Sequence, residues 1–68
     1  MALNVQELKA ARVKRDLKQS DVADMLHISI PAYSNKENGK SQFLLNEVDS
    51  IAKKFELSQS EIAMIFFA

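Results

Sequence analysis

The chain has 68 residues, with nine Lys or Arg balanced by nine Asp or Glu, one histidine and no cysteine. That length allows a single domain over residues 1–68 with a small core, of marginal stability alone, so association with a second copy would help it. The missing cysteines exclude a disulfide framework and thiolate chemistry, one histidine cannot assemble a metal cluster, and no run approaches the roughly 20 apolar residues that span a bilayer.

The opening MALNVQELKAAR is polar, helical in pattern and without an apolar signal region, which predicts a soluble, cytoplasmic protein. Asn4 followed by Glu7 makes a start resembling a capping box, so a first helix puts Leu8 and Ala11 inward and runs to about Arg15. Next, Val22, Ala23 and Leu26 form one apolar stripe while Asp21 and Asp24 keep the other face wet, the pattern of a short amphipathic helix. His27 and Ile28 interrupt it. Ser29 is placed to cap a third helix by accepting a hydrogen bond from a free N–H of its first turn, and Pro31, with no N–H to donate, fits only near such a start. This third helix is predicted from about Ile30 to Glu37, stopping before Asn38 and Gly39 because glycine readily takes the left-handed conformation that ends helices. Two helices of about two turns joined by a tight turn form a helix-turn-helix over about residues 19–37.

Further on, Leu45, Val48, Ile51, Ala52 and Phe55 follow the 3.6-residue period and predict a fourth helix whose apolar face is the heart of the core. Ser58 with Glu61 is a capping box for a fifth. No strand is required, so the fold class is all-α, a compact bundle of five helices. The run Ile62 to Phe67 is too apolar to be buried entirely in so small a protein. Met64, Ile65, Phe66 and Phe67 are therefore predicted to form a homodimer interface.

The neutral balance argues at first against nucleic acid, since affinity for DNA rests largely on Lys and Arg displacing counterions. The distribution alters that reading: residues 1–40 hold seven Lys or Arg against five Asp or Glu, residues 41–68 two against four. The positive half contains the helix-turn-helix, though its field is weak for a DNA binder and predicts poor, salt-sensitive binding by one copy.

Arg12, Leu17 to Gln19, Ala23, Ser29 and Glu37 to Lys40 together resemble the phage repressor, Cro and Xre group of helix-turn-helix DNA-binding domains, over nearly the whole chain. Ala23 also has a physical reason, because helices cross closely only where a side chain is small. Several positions depart from the family pattern. Asp16 and His27 stand where glycine is usual, at positions expected to need positive φ. Lys18 and Leu44 replace the Ser or Thr caps of the second and fourth helices, leaving both starts without a cap side-chain acceptor, and Lys36 stands where an apolar residue is usual.

The resemblance implies a lambda-repressor-like fold and a role for each motif residue. Arg12 and Glu37 are expected to form a buried ion pair tying the first helix to the end of the third. His27 is expected to serve as a turn residue, and Tyr33 as core with a hydroxyl near a phosphate. Ser29, Ile30, Pro31, Ser34 and Asn35 would face base edges in the major groove, Asn35 as a bidentate partner of adenine and Ile30 and Pro31 against thymine methyls, giving an A·T-leaning site. Gln19, Asn38, Lys40 and Ser41 would clamp phosphates, and Lys36 would either do the same or lie along the surface with its ammonium in water.

The implied partner is double-stranded DNA, a palindromic operator bound by a homodimer, and the implied protein a small phage or prophage Cro-like or repressor-type transcriptional regulator. The alternative is an antitoxin or protein-binding module of the same fold that grips another protein with its C-terminal helix. No nucleophile with a base, carboxylate pair or Gly-rich phosphate loop is visible, so no enzyme, cofactor, metal or small-molecule ligand is expected.

Overall fold

The computed structural model describes residues 2–68 and contains α1 (Val5–Lys14), α2 (Gln19–Leu26), α3 (Ile30–Glu37), α4 (Leu45–Phe55) and α5 (Gln59–Phe66), with no strand among the described residues. No helix is long and apolar enough to cross a membrane among those residues. Local chemistry accounts for the helix starts. Asn4 Oδ1 accepts the Glu7 N–H at 3.2 Å, and Ser29 Oγ accepts the Ala32 N–H at 3.2 Å, with Pro31 in the first turn of α3. Ser58 and Glu61 complete a reciprocal box at 3.1 and 2.9 Å.

Lys18 and Leu44 offer no side-chain acceptor, as their residue types dictate. Instead, the third residue of each helix reaches back: Asp21 Oδ2 accepts the Lys18 N–H and Glu47 Oε1 accepts the Leu44 N–H, both at 2.8 Å. Each helix thus gains half of a capping box and a negative charge in its first turn, where the helix dipole favours one.

Asp16 (φ 57°) and His27 (φ 59°) take the left-handed conformation at the two positions where the resemblance expects it. Glu56 (φ 54°) does the same at the end of α4, which the sequence reading does not anticipate. Gly39, at φ 81°, makes the turn out of α3.

The core joins Leu8 of α1, Val22 and Ala23 of α2, Tyr33 of α3, Ile51 and Phe55 of α4, and Ile65 and Phe66 of α5. Phe43, from the α3–α4 loop, stacks edge-on between Tyr33 and Phe66, with ring centroids at 6.1 and 5.5 Å. Arg15 adds a strut. It donates to the Phe55 carbonyl at 2.9 Å and the Ala11 carbonyl at 2.7 Å, with its guanidinium 5.3 Å from the Phe55 ring centroid. That cation stabilises the carbonyl end of α4.

Two expectations about burial are corrected. Ile65 and Phe66, expected at a dimer interface, are only 2% and 7% exposed and belong to the core. α5 is received on two sides, by α1, whose entry residue Asn4 donates its N–H to the Ile65 carbonyl at 2.7 Å, and by the Phe43 ring against Phe66. Only Met64 and Phe67 of that run stay substantially exposed. Leu45, expected in the core, is 79% exposed, because the first turn of α4 lies at the rim, before the stripe of Ile51, Ala52 and Phe55 goes under. Ala2 and Ala68 meet beside α5, exchanging backbone hydrogen bonds of 3.0 and 2.9 Å.

Candidate nucleic-acid interface

The turn between α2 and α3 is short because its first residue is left-handed. With His27 at positive φ, the His27 N–H reaches the Asp24 carbonyl at 3.1 Å and the Ile28 N–H reaches the Ala23 carbonyl at 3.0 Å, closing the end of α2. Ser29 then starts α3 at once. Ala23, 1% exposed, has only a methyl group at this junction, so the two helices pack closely.

One carboxylate anchors α3 to the body. Glu37, at its C-terminal end, is fully buried and accepts four hydrogen bonds: Arg12 Nε at 2.8 Å, Arg12 Nη2 at 3.2 Å, Gln19 Nε2 at 2.9 Å and the Tyr33 hydroxyl at 2.7 Å. Arg12 Nη1 also donates to the Leu17 carbonyl at 2.7 Å. α1, the start of α2 and both turns of α3 therefore converge on one charged group. Burial alone would raise the Glu37 carboxyl, but donation from Arg12, Gln19 and Tyr33 with the Arg12 charge outweighs it and holds the group below the ordinary carboxylate range. The hydrogen bond to Glu37 raises Arg12 against its own desolvation, while burial, helped by donation to Glu37, pushes the Tyr33 hydroxyl well above the usual phenol range. The site is thus locked with Arg12 charged, Glu37 ionised and Tyr33 protonated at neutral pH.

Opposite that anchor, α3 turns a stripe outward. Positions 30, 31, 34, 35 and 38 recur at the spacing of one helical face, and Ile30, Pro31, Asn35 and Asn38 are exposed, with Ser34 half-buried. Ser29, at the cap, and Lys40 and Ser41, in the loop beyond Gly39, are exposed as well. The loop is held close to the stripe, since the Asn35 carbonyl accepts the Lys40 N–H at 2.8 Å and the Ser41 N–H at 3.3 Å. Asn38 folds back, donating its amide to the Ser34 carbonyl at 2.8 Å and the Ser34 hydroxyl at 3.3 Å.

A family model described as Helix-turn-helix matches residues 8–62, from inside α1 to inside α5. The chain belongs to the Cro/C1-type helix-turn-helix family. It is in that sense a DNA-binding helix-turn-helix regulator. No curated protein and no solved structure matches it.

Within this helix-turn-helix domain, three side chains are placed otherwise than the sequence reading expects. Gln19 donates its amide to Glu37, so it supports the anchor. The Tyr33 hydroxyl is buried in the same network, donating to Glu37. Lys36 is neither free nor along the surface: its ammonium lies 2.7 Å from Glu47 Oε1, in a pair whose side chains are 15% and 8% exposed. Sequence reasoning misses Glu47 entirely, as it misses the Arg15 strut. The one available signal is the spacing from Leu44, which puts a carboxylate at the third position of a helix whose cap residue cannot accept.

Proposed function

We propose that the chain is a sequence-specific transcriptional regulator of small phage or prophage repressor type, which lays α3 in the major groove of a palindromic operator as a homodimer. One observation carries the reading: the exposed stripe of α3 and the loop bearing Lys40 and Ser41 form a single surface, held by a buried carboxylate with four donors behind it. A reading helix must keep its angle when it meets DNA, and this network supplies that stiffness. Asn35 would donate to and accept from adenine, Ser34 would contact a neighbouring base, and Ile30, 51% exposed, with Pro31 would rest on thymine methyls. Lys40, Ser41, Asn38 and the N-terminus of α2 would hold flanking phosphates.

The dimer surface in this reading is the apolar area left over after α5 has packed. Leu45 and Phe67 line one groove together with Leu3 and Phe43, next to Ser41 of the phosphate-facing loop. A two-fold partner seated there would set two copies of α3 about one DNA turn apart, roughly 34 Å. The same groove favours a second reading, an antitoxin or adaptor in which a different protein covers Leu45 and Phe67. Selection of bound duplexes from random DNA separates the two. A palindrome with half-sites about one turn apart is the expected result, and no enrichment of any sequence overturns the regulator reading.

A further inference from the structure

Lys36 departs from its family position, where an apolar side chain is usual, and the structure gives it an occupation. Its ammonium donates to Glu47 Oε1 at 2.7 Å and to the Gln42 carbonyl at 3.3 Å. The same Glu47 oxygen accepts the Leu44 N–H at 2.8 Å, which fastens Glu47 to the start of α4. One side chain of α3 therefore holds the far end of the 39–44 loop, while the near end is held by the Asn35 carbonyl through the N–H groups of Lys40 and Ser41. Lys40 and Ser41 sit next to the near fastening, and the loop cannot swing without breaking one end.

We propose that Lys36 and Glu47 are a positioning pair: they set the distance between the base-reading stripe of α3 and the phosphate-facing loop, and so sharpen sequence discrimination without touching DNA. This rests on the regulator reading above. A direct phosphate contact by Lys36 would require it to leave Glu47, stranding a nearly buried carboxylate without its counter-charge, an arrangement that low-dielectric electrostatics opposes. Phosphate contacts fix the register in which a reading helix meets its bases, so a loop free to shift blurs the difference between right and wrong sequences before it weakens general attraction to DNA.

The test compares the full chain with Glu47→Gln, Lys36→Met and Lys36→Arg. Lys36→Met is the decisive variant, because it removes the donor to Glu47 and Gln42 outright, whereas in Glu47→Gln the oxygen that accepts the Leu44 N–H is the one Lys36 donates to, so the charge is gone while that hydrogen bond can persist. Hydrogen exchange without DNA should speed up about tenfold or more at the Lys40 and Ser41 amides in Lys36→Met, and by less in Glu47→Gln, with the Ile51 amide unchanged. Titrations across salt should show operator affinity falling about tenfold, random-duplex affinity and salt slope unchanged, and Lys36→Arg close to the parent. If Lys36→Met instead weakens operator and random duplex alike and lowers the salt slope by about one, Lys36 is a phosphate ligand and the proposal is overturned. Unchanged exchange at Lys40 and Ser41 overturns the tether itself. A parent chain with no preferred sequence overturns the regulator reading and the discrimination role with it, and the exchange data show separately whether the tether fails too.

Discussion

Removing Arg12 from beneath Glu37 tests the anchor that α3 depends on. Breaking a buried ion pair by deleting one partner costs roughly 3–5 kcal/mol, because a charge is left without compensation. Here Arg12→Met removes two of the four donors to Glu37 and leaves those of Gln19 and Tyr33, which places the carboxylate penalty near the lower end of that range. The Leu17 carbonyl also loses its donor, adding about 1 kcal/mol, so the expected loss is about 3–4 kcal/mol. Glu37→Gln keeps neutral acceptors and should cost about 2 kcal/mol, while Arg12→Met with Glu37→Gln should cost far less than the sum, a coupling of about 2 kcal/mol. Urea unfolding at neutral pH measures all four corners, with an osmolyte added because a chain this small holds only about 3–10 kcal/mol in total. Single losses that add to within about 0.5 kcal/mol would show that the two groups do not act together, and the packing of α1 on α3 described above would be wrong. A pH signature accompanies the cycle. Because Glu37 is held below its ordinary value of 4.5, its stabilising contribution is fully present above that pH and is lost as pH falls through the lowered folded-state value. Glu37→Gln should flatten that acid limb of the stability curve.

Three further outcomes follow from named contacts. Asn35→Ala should lose about 1–3 kcal/mol of base discrimination with little change on random duplex, whereas Lys40→Ala should weaken all sequences alike and lower the salt slope by about one, both read by titration across salt. Leu45→Ser with Phe67→Ser should leave the circular dichroism of a folded helical chain and give a monomer in sedimentation equilibrium, while Phe66→Ser, which opens the core, should unfold; a parent chain already monomeric at high micromolar concentration would refute the dimer surface. Glu56→Gly should raise the urea midpoint by about 0.5–1 kcal/mol equivalent, since a side chain at φ 54° bears a left-handed cost that glycine does not, and an unchanged midpoint would refute it.

Local chemistry makes α3 readable from the sequence. Ser29, Pro31 and Gly39 each have a physical reason to stand at a boundary, and the helix begins and ends where they put it. The positive φ at Asp16 and His27 was legible only through resemblance, since neither residue type demands it; Glu56 has no such signal and went unread. Long-range partners decide the rest. Four apolar residues in succession at the end of α5 leave their own orientation undetermined, and Ile65 and Phe66 go inward because α1 and Phe43 meet them there. Gln19, Tyr33 and Lys36 all carry groups that could reach a phosphate, and each is claimed instead by a carboxylate: Gln19 by Glu37 and Lys36 by Glu47 from other helices, Tyr33 by Glu37 one turn on in the same helix. Periodicity reports which face is apolar, but not which polar side chain finds an internal partner first.

The inward turn of Arg12, Arg15 and Lys36 also bears on how such a protein would search a genome. With those cations spoken for, few remain on the helix-turn-helix side to displace counterions, so adhesion to arbitrary DNA should be weak and dissociation from it fast. A protein of that kind is not soaked up by the bulk chromosome. Under the regulator reading most copies would stay free, and occupancy of a cognate site would track their number directly instead of being buffered by a reservoir of decoys. A modest change in synthesis then reaches the site almost undiluted, which suits a decision that must flip on a small difference in dose.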